Sequence, residues 1–265
     1  GFARALNEQG IVVAGHDHLG HGKSLPEGGT PVYFGDGNTW NTVVDDIYVL
    51  HQRLKQRYPD VPLCIMGHSM GSFLTRTYLI RYPGTVKAAV IMGTGWQPRA
   101  AITGGLALAN AIAAVSGENA TSELVTELAF GSYNKLFAPN RTKVDWLSAD
   151  ESNVDDYIAD PLCGADATVG LFRQMLHGIR FNQRQSHLRQ MDKQMPVLFV
   201  AGDKDPVGSC GKGVRQTYDA FRAAGMRDCT LKLYPGLRHE ILNEKAYTAD
   251  ITKNIEAWLL SRLEK

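Results

Sequence analysis

Apolar residues at 43, 44, 47, 50 and 54 recur at the spacing of one helix face, and Thr39 stands where a helix cap would. Short, largely apolar runs at 11–14, 61–66 and 86–92 read instead as buried strands. Residues 2–9 form a helical pattern that Gly10 can stop, and residues 72–82 form another directly behind the second run. This alternation predicts a parallel sheet. From 95 to 194 the pattern changes. No β run occurs there; 102–115 is small and apolar, 122–130 is amphipathic, and 168–188 reads as a longer helix. Strand patterning returns at 197–201 and 230–234, with a helix at 214–224 between them. A closing helix carries Ile251, Ile255, Trp258, Leu259 and Leu263. The expected fold class is α/β: a mostly parallel sheet flanked by helices. Its core would comprise residues 1–94 and 195–265, interrupted by a helical cap at 95–194.

Bulk properties narrow the function classes. The 265 residues suffice for one large domain with a sizeable core, and 44% hydrophobic with 21% charged residues is ordinary for a globular chain. A net charge of +1 gives no footing for a nucleic-acid partner or an anionic membrane. No run approaches the length needed to span a bilayer, so no transmembrane segment is expected. Cys64, Cys163, Cys210 and Cys229 lack paired spacing and read as reduced thiols of a cytoplasmic protein.

The chemistry concentrates at three turns. Gly67-His68-Ser69-Met70-Gly71 lies between a strand pattern and a helix pattern, the setting of a nucleophile elbow. There the serine occupies a strained turn, and the flanking glycines admit close-passing chain. A serine hydroxyl needs a base, and the base needs an orienting acid. After the strand at 197–201 comes Gly202-Asp203-Lys204-Asp205-Pro206-Val207; after the strand at 230–234 comes Pro235-Gly236-Leu237-Arg238-His239-Glu240. The order Ser69, Asp205, His239 places each partner at a strand end. Asp203 competes for the acid role, although directly behind a strand it is suited to capping loop amides. His68 should diverge from Ser69 and pack within the elbow. The backbone N–H of Met70 would stabilise the oxyanion.

Other clusters have plainer readings. His16, Asp17, His18 and His21 lie within a loop rich in glycine, histidine and proline (15–38) and carry zinc-binding side-chain types. Without further ligands at a matching strand end, the expectation is a loop hydrogen-bonded to backbone, with no metal and no cofactor. Asp150, Glu151, Asp155, Asp156 and Asp160 read as a solvated face of the helical block.

With these residues in place, the chain resembles the monoacylglycerol lipase and lysophospholipase group of α/β-hydrolases. The motifs are Asp17-His18-Leu19-Gly20-His21-Gly22-Lys23-Ser24, the elbow, Gly202-Asp203-Lys204-Asp205-Pro206-Val207 and Arg238-His239-Glu240-Ile241-Leu242-Asn243-Glu244. Leu19 stands where members usually have arginine. The resemblance implies Ser69 as nucleophile, Asp205 as acid and His239 as base in hydrolysis of a lipid-like small-molecule ester. It also implies a His-Gly motif ahead of the first helix that supplies a second oxyanion donor. The chain starts at Gly1 inside a helical pattern, so the expectation is a chain lacking its leading strands and that donor. Leu106, Leu171, Phe172 and Met175 are candidates for an acyl-chain pocket under the cap, or plain helix packing; the cap would make any transient lipid-surface contact. Activity should fall in acid as His239 protonates. An aminopeptidase or amidase of the same fold, and a catalytically incomplete scaffold with a binding role, are the alternatives.

Overall fold

The computed structural model describes residues 1–263, so the last two residues of the 195–265 segment lie outside the described residues. Four parallel strands lie in chain order: β1 (Cys64–His68), β2 (Ala88–Met92), β3 (Val197–Gly202) and β4 (Cys229–Tyr234). The helices are α1 (Phe2–Glu8), α2 (Thr39–Arg57), α3 (Met70–Arg81), α4 (Arg99–Ser116), α5 (Glu123–Thr126), α6 (Ser132–Lys135), α7 (Glu151–Ala159), α8 (Val169–Asn182), α9 (Gln185–Leu188), α10 (Lys212–Ala223) and α11 (Thr248–Leu263).

The period-2 alternation of the central strands sorts their side chains into two cores. Ala89, Ile91, Val197, Phe199 and Ala201 join the larger cluster with Val43 and Val44 of α2, Leu74 and Tyr78 of α3, Ile179 of α8 and Phe221 of α10. Val90, Met92, Leu198 and Val200 face the other way, onto Ile251, Ile255 and Leu259 of α11 together with Leu237 and Ile241. A sheet buried on both faces needs apolar residues at consecutive positions, which is why β2 and β3 read as unbroken runs. The result is the helix–sheet–helix layering of an α/β fold.

Two strand expectations need correction. The apolar run 11–14 is not a strand: Val12 is 65% and Val13 43% exposed. A strand must lie about 4.8 Å from a partner to pair. A groove of about 240 Å³ instead separates the Ala14–His18 side from Leu63 to Gly67, so the run has no edge to join. The run at 61–66 is realised later, as β1. Pro62 has no N–H to give a ladder, Val61 is exposed and closes a turn onto Tyr58, and the strand carries on through Gly67 and His68 to the elbow. Thr39 is the first residue of α2, with Asn38 at the cap position.

Between β2 and β3 the chain is helical, with an isolated Thr121–Thr168 bridge. The pattern at 122–130 divides into α5, capped by the Ser122 hydroxyl on the Val125 N–H, and a π-helical turn at Glu127–Gly131. The pattern at 168–188 breaks into α8 and α9. At the break, the Gln183 side chain exchanges two hydrogen bonds of 2.8 Å with the Gln97 backbone. Asn182 ties α8 to α3, accepting from the Thr77 hydroxyl and donating to the Phe73 carbonyl, both at 2.8 Å.

By length and composition α4 is apolar and long enough to cross a membrane, contrary to the sequence expectation. Ile102, Leu106 and Ala109, one face of α4, are buried, and Gly105 allows close approach of Leu176 on α8.

Candidate active site

Strand β1 runs straight into Ser69, which takes φ 54° and ψ −122°, and α3 starts at the next residue. That left-handed turn is costly for a residue with a Cβ and points the side chain off the end of the strand. Gly67 is required by space: a Cβ there would stand 2.1 Å from the Gly71 carbonyl oxygen. Gly71 is different. A Cβ on it would meet nothing within 4 Å, so only the first of the two glycines is demanded by close passage. The Ser69 N–H bonds the Met92 carbonyl of β2 at 3.1 Å, anchoring the turn to the sheet. Met70 is the first residue of α3, so its N–H belongs to the turn of donors that a helix leaves without an internal acceptor.

The loops that carry Asp205 and His239 meet at the neighbouring strand ends. Gly202, at the end of β3, would place a Cβ 2.0 Å from the Leu237 carbonyl, so only glycine lets the two loops touch. Asp205 is fully buried. Its Oδ1 accepts the Val207 N–H at 2.9 Å and its Oδ2 accepts the His239 Nδ1–H at 3.0 Å. That bond fixes the imidazole tautomer and leaves Nε2 free of the carboxylate. Asp203 turns elsewhere, and its Oδ1 accepts the Gly236 N–H at 2.8 Å. Among the described residues Ser69 Oγ has no hydrogen bond to His239; such bonds are commonly long before substrate binds and tighten in the reactive complex.

His239, 2% exposed, is packed on two sides. The His68 ring lies 4.5 Å away between centroids and the Trp146 indole 5.1 Å. His68 Nε2 donates to the His239 carbonyl at 3.1 Å. Burial, reinforced by His239, pushes the His68 imidazole down to about 4, so it is neutral at pH 7. His68 is thus a tether between the end of β1 and the His239 loop. Gly93, with φ +58°, sits beneath both rings; a Cβ there would come within 3.2 Å of His239.

The helical block grips the His239 loop from the opposite side. Arg238 donates to the carbonyls of Asp145 and Ser148 and covers the Phe137 ring at 4.0 Å. The Glu240 N–H bonds the Leu147 carbonyl at 2.8 Å, and its carboxylate accepts from Asn153 at 2.9 Å. Buried Glu244 accepts the N–H groups of Ala149 at 2.8 Å and Asp150 at 3.1 Å. Phe130, Tyr133 and Trp146 form an aromatic wall that reaches back to Phe172 on α8. Burial, with the Asp205 carboxylate nearby, pushes the Tyr133 phenol up to about 12.

The structure therefore brings Asp205 and His239 into contact beside the elbow, with Met70 at the head of α3. Leu106 and Leu171 lie in the larger apolar core with Met175 packed against it, and Phe172 is also buried. They join α4 to α8. Of the loop histidines, His21 Nδ1 meets the Leu19 carbonyl at 2.8 Å, and Asp17 accepts the Lys23 N–H at 2.8 Å. His18 departs from the expected backbone bonding: its Nδ1 is buried without a partner, and burial lowers the ring to about 4. Among the described residues no group of three or more His, Cys, Asp or Glu side chains is placed to hold a metal ion. In the acidic run, Asp150 caps α7 through the Ser152 N–H and also accepts from the Lys245 N–H. Trp146, Tyr133 and the structural work of Arg238 and Glu244 escaped the sequence reading. Only the last two carried a signal, as neighbours of His239 in one motif.

A family model described as serine aminopeptidase, S33, matches residues 1–246. The chain is 30% identical to a monoacylglycerol lipase of Mycolicibacterium smegmatis over 98% of its own length and 82% of that protein's. It is 27% identical to the monoglyceride lipase of Homo sapiens, covering 98% of this chain and 77% of the relative. Among solved structures, a thermostable carboxyl esterase from Bacillus coagulans in complex with glycerol superposes with a TM-score of 0.91. That pair shares 26% identity over 99% of this chain and 84% of the other.

Proposed function

Because the chain belongs to the serine aminopeptidase, S33, family of α/β-hydrolases, we propose that it is a serine hydrolase cleaving carboxylic esters of lipid-like substrates, monoacylglycerols or lysophospholipids. Ser69 Oγ attacks the ester carbonyl while His239 Nε2 takes its proton, and Asp205 holds the imidazole and balances its charge. The Met70 N–H, at the positive end of α3, stabilises the oxyanion. His239 then returns the proton to the leaving alcohol. Water, activated by the same histidine, releases the acid and frees Ser69.

The observation that carries this reading is the buried Asp205–His239 hydrogen bond beside a serine held at positive φ. Lipid-like esters are favoured by the names of the relatives and by the surface of the helical block, where Val115, Leu124, Leu128 and Leu136 expose apolar side chains. We take residues 95–194 as a cap that sets substrate choice and touches the lipid surface, with Leu106, Leu171, Phe172 and Met175 backing its acyl side. The four free cysteines fit a reducing cytoplasm.

A chain-length series of glycerol and phosphoglycerol esters, blanked with Ser69→Ala, tests the proposal. Turnover that rises with acyl length supports it. The family description also names aminopeptidases, so aminoacyl anilides belong in the same assay. Faster cleavage of the anilides than of any ester would overturn the lipid-ester reading.

A further inference from the structure

Helix α8 carries its cations along one line. Arg173, His177 and Arg180 follow at i, i+4 and i+7, and Arg184 continues the series just past the end of the helix. All four line a groove of about 420 Å³ that Asn38 and Asn41 border from the start of α2. No aspartate or glutamate lines this groove, and none occurs in the sequence from 169 to 191. Neutralisation from elsewhere is incomplete. Arg173 pairs with Glu118, but its Nε is buried without a partner. Arg180 and Arg184 are exposed and form no ion pair among the described residues.

Arg180 and Arg184 stand four residues apart, a spacing at which like charges repel, and Arg173 opens the same line two turns earlier. Arg180 instead donates to His177 Nδ1 at 3.1 Å, which keeps that imidazole neutral and its other nitrogen a donor. Burial and the two adjacent arginines hold the His177 ring below its ordinary range. A concave surface offering several guanidinium donors, amides and no acceptor charge suits a multiply oxygenated anion. A carboxylate satisfies one guanidinium fork, whereas a phosphate has oxygens for two.

We propose that the groove between α8 and the start of α2 is a binding site for a phosphate group, separate from Ser69, Asp205 and His239. The phosphate has two possible sources, a small organic or inorganic phosphate and the headgroup of an anionic lipid.

The test uses the intact chain and the double variant Arg180→Gln/Arg184→Gln. Both positions are exposed and lie outside the catalytic machinery, so hydrolysis of a water-soluble short-chain ester should be unchanged and reports intact folding. Binding of inorganic phosphate and of glycerol 3-phosphate is measured by calorimetry. Binding to phosphatidylcholine vesicles, with and without phosphatidylglycerol, is measured by sedimentation. The expected result is that the double variant loses at least tenfold in affinity for one of the two. Loss confined to the small phosphates identifies a soluble ligand; loss confined to the anionic vesicles identifies a headgroup. If the intact chain binds neither, or the double variant binds both as well as the intact chain, the proposal is overturned. The binding readouts do not depend on whether the ester-hydrolase reading holds, and a thermal melt of the double variant reports intact folding where that reading fails.

Discussion

Ser69 at φ 54° and ψ −122° places a Cβ-bearing residue in backbone space that glycine occupies freely, and its Oγ makes no hydrogen bond among the described residues. Holding a non-glycine residue there costs about 1–3 kcal/mol. Ser69→Ala keeps the Cβ and therefore the strain, so its stability should match the parent. Ser69→Gly releases the strain but gains freedom in the unfolded chain, which returns about 0.4–1 kcal/mol. The glycine variant should thus be more stable than the alanine variant by about 1.3 kcal/mol at mid-range, and by at most about 2.6 kcal/mol. With an unfolding entropy of about 2 cal/mol/K per residue, a chain of this size shifts its Tm by about 2 °C for the mid-range difference, and by at most about 5 °C. Both variants should be inactive. Calorimetric melting and urea denaturation of the three proteins read the effect directly. A glycine variant no more stable than the alanine variant would refute the claim that the elbow stores backbone strain.

Asp205→Asn should lower kcat by at least a hundredfold, whereas Asp203→Asn, which only loosens a bond to the Gly236 N–H, should lower it less than tenfold; the reverse ranking would reassign the acid. Glu244→Gln leaves one of two buried N–H groups facing an amide donor and should cost about 1–3 kcal/mol in urea denaturation, with kcat reduced more than KM is raised. His68 is neutral when folded down to about pH 4 but protonates near 6.5 when unfolded. Its contribution is therefore full above pH 6.5 and lost as pH falls toward 4, by about 3 kcal/mol at 1.36 kcal/mol per unit. Denaturation at pH 7 and pH 4.5 should show that loss in the parent and a smaller one in His68→Gln.

The strands and helices were legible where one element decides its own burial. The doubly buried β2 and β3 read as unbroken apolar runs, and α2, α10 and α11 as helix faces. Residues 11–14 misled because an apolar run records a tendency to be buried, and a strand also needs an edge to pair with. Residues 168–188 concealed a break because the helical period survives it; the Gln183–Gln97 exchange that stops α8 is a contact between residues far apart in sequence. The site divides in the same way. Ser69, Asp205 and His239 lie in local motifs at strand ends, so their positions could be read from the sequence. Trp146 packs on His239, with Tyr133 against its indole, where Arg238, Glu240 and Glu244 bind the segment 145–153, and no periodicity encodes that docking.

The most direct test of the proposed chemistry is covalent labelling of the folded chain with a fluorophosphonate ester, followed by peptide mass spectrometry. The account predicts a single adduct on Ser69, slowed by a long-chain monoacylglycerol and absent in Ser69→Ala and His239→Ala. An active, ester-cleaving protein that carries no label on Ser69, or labels equally well without His239, would contradict it.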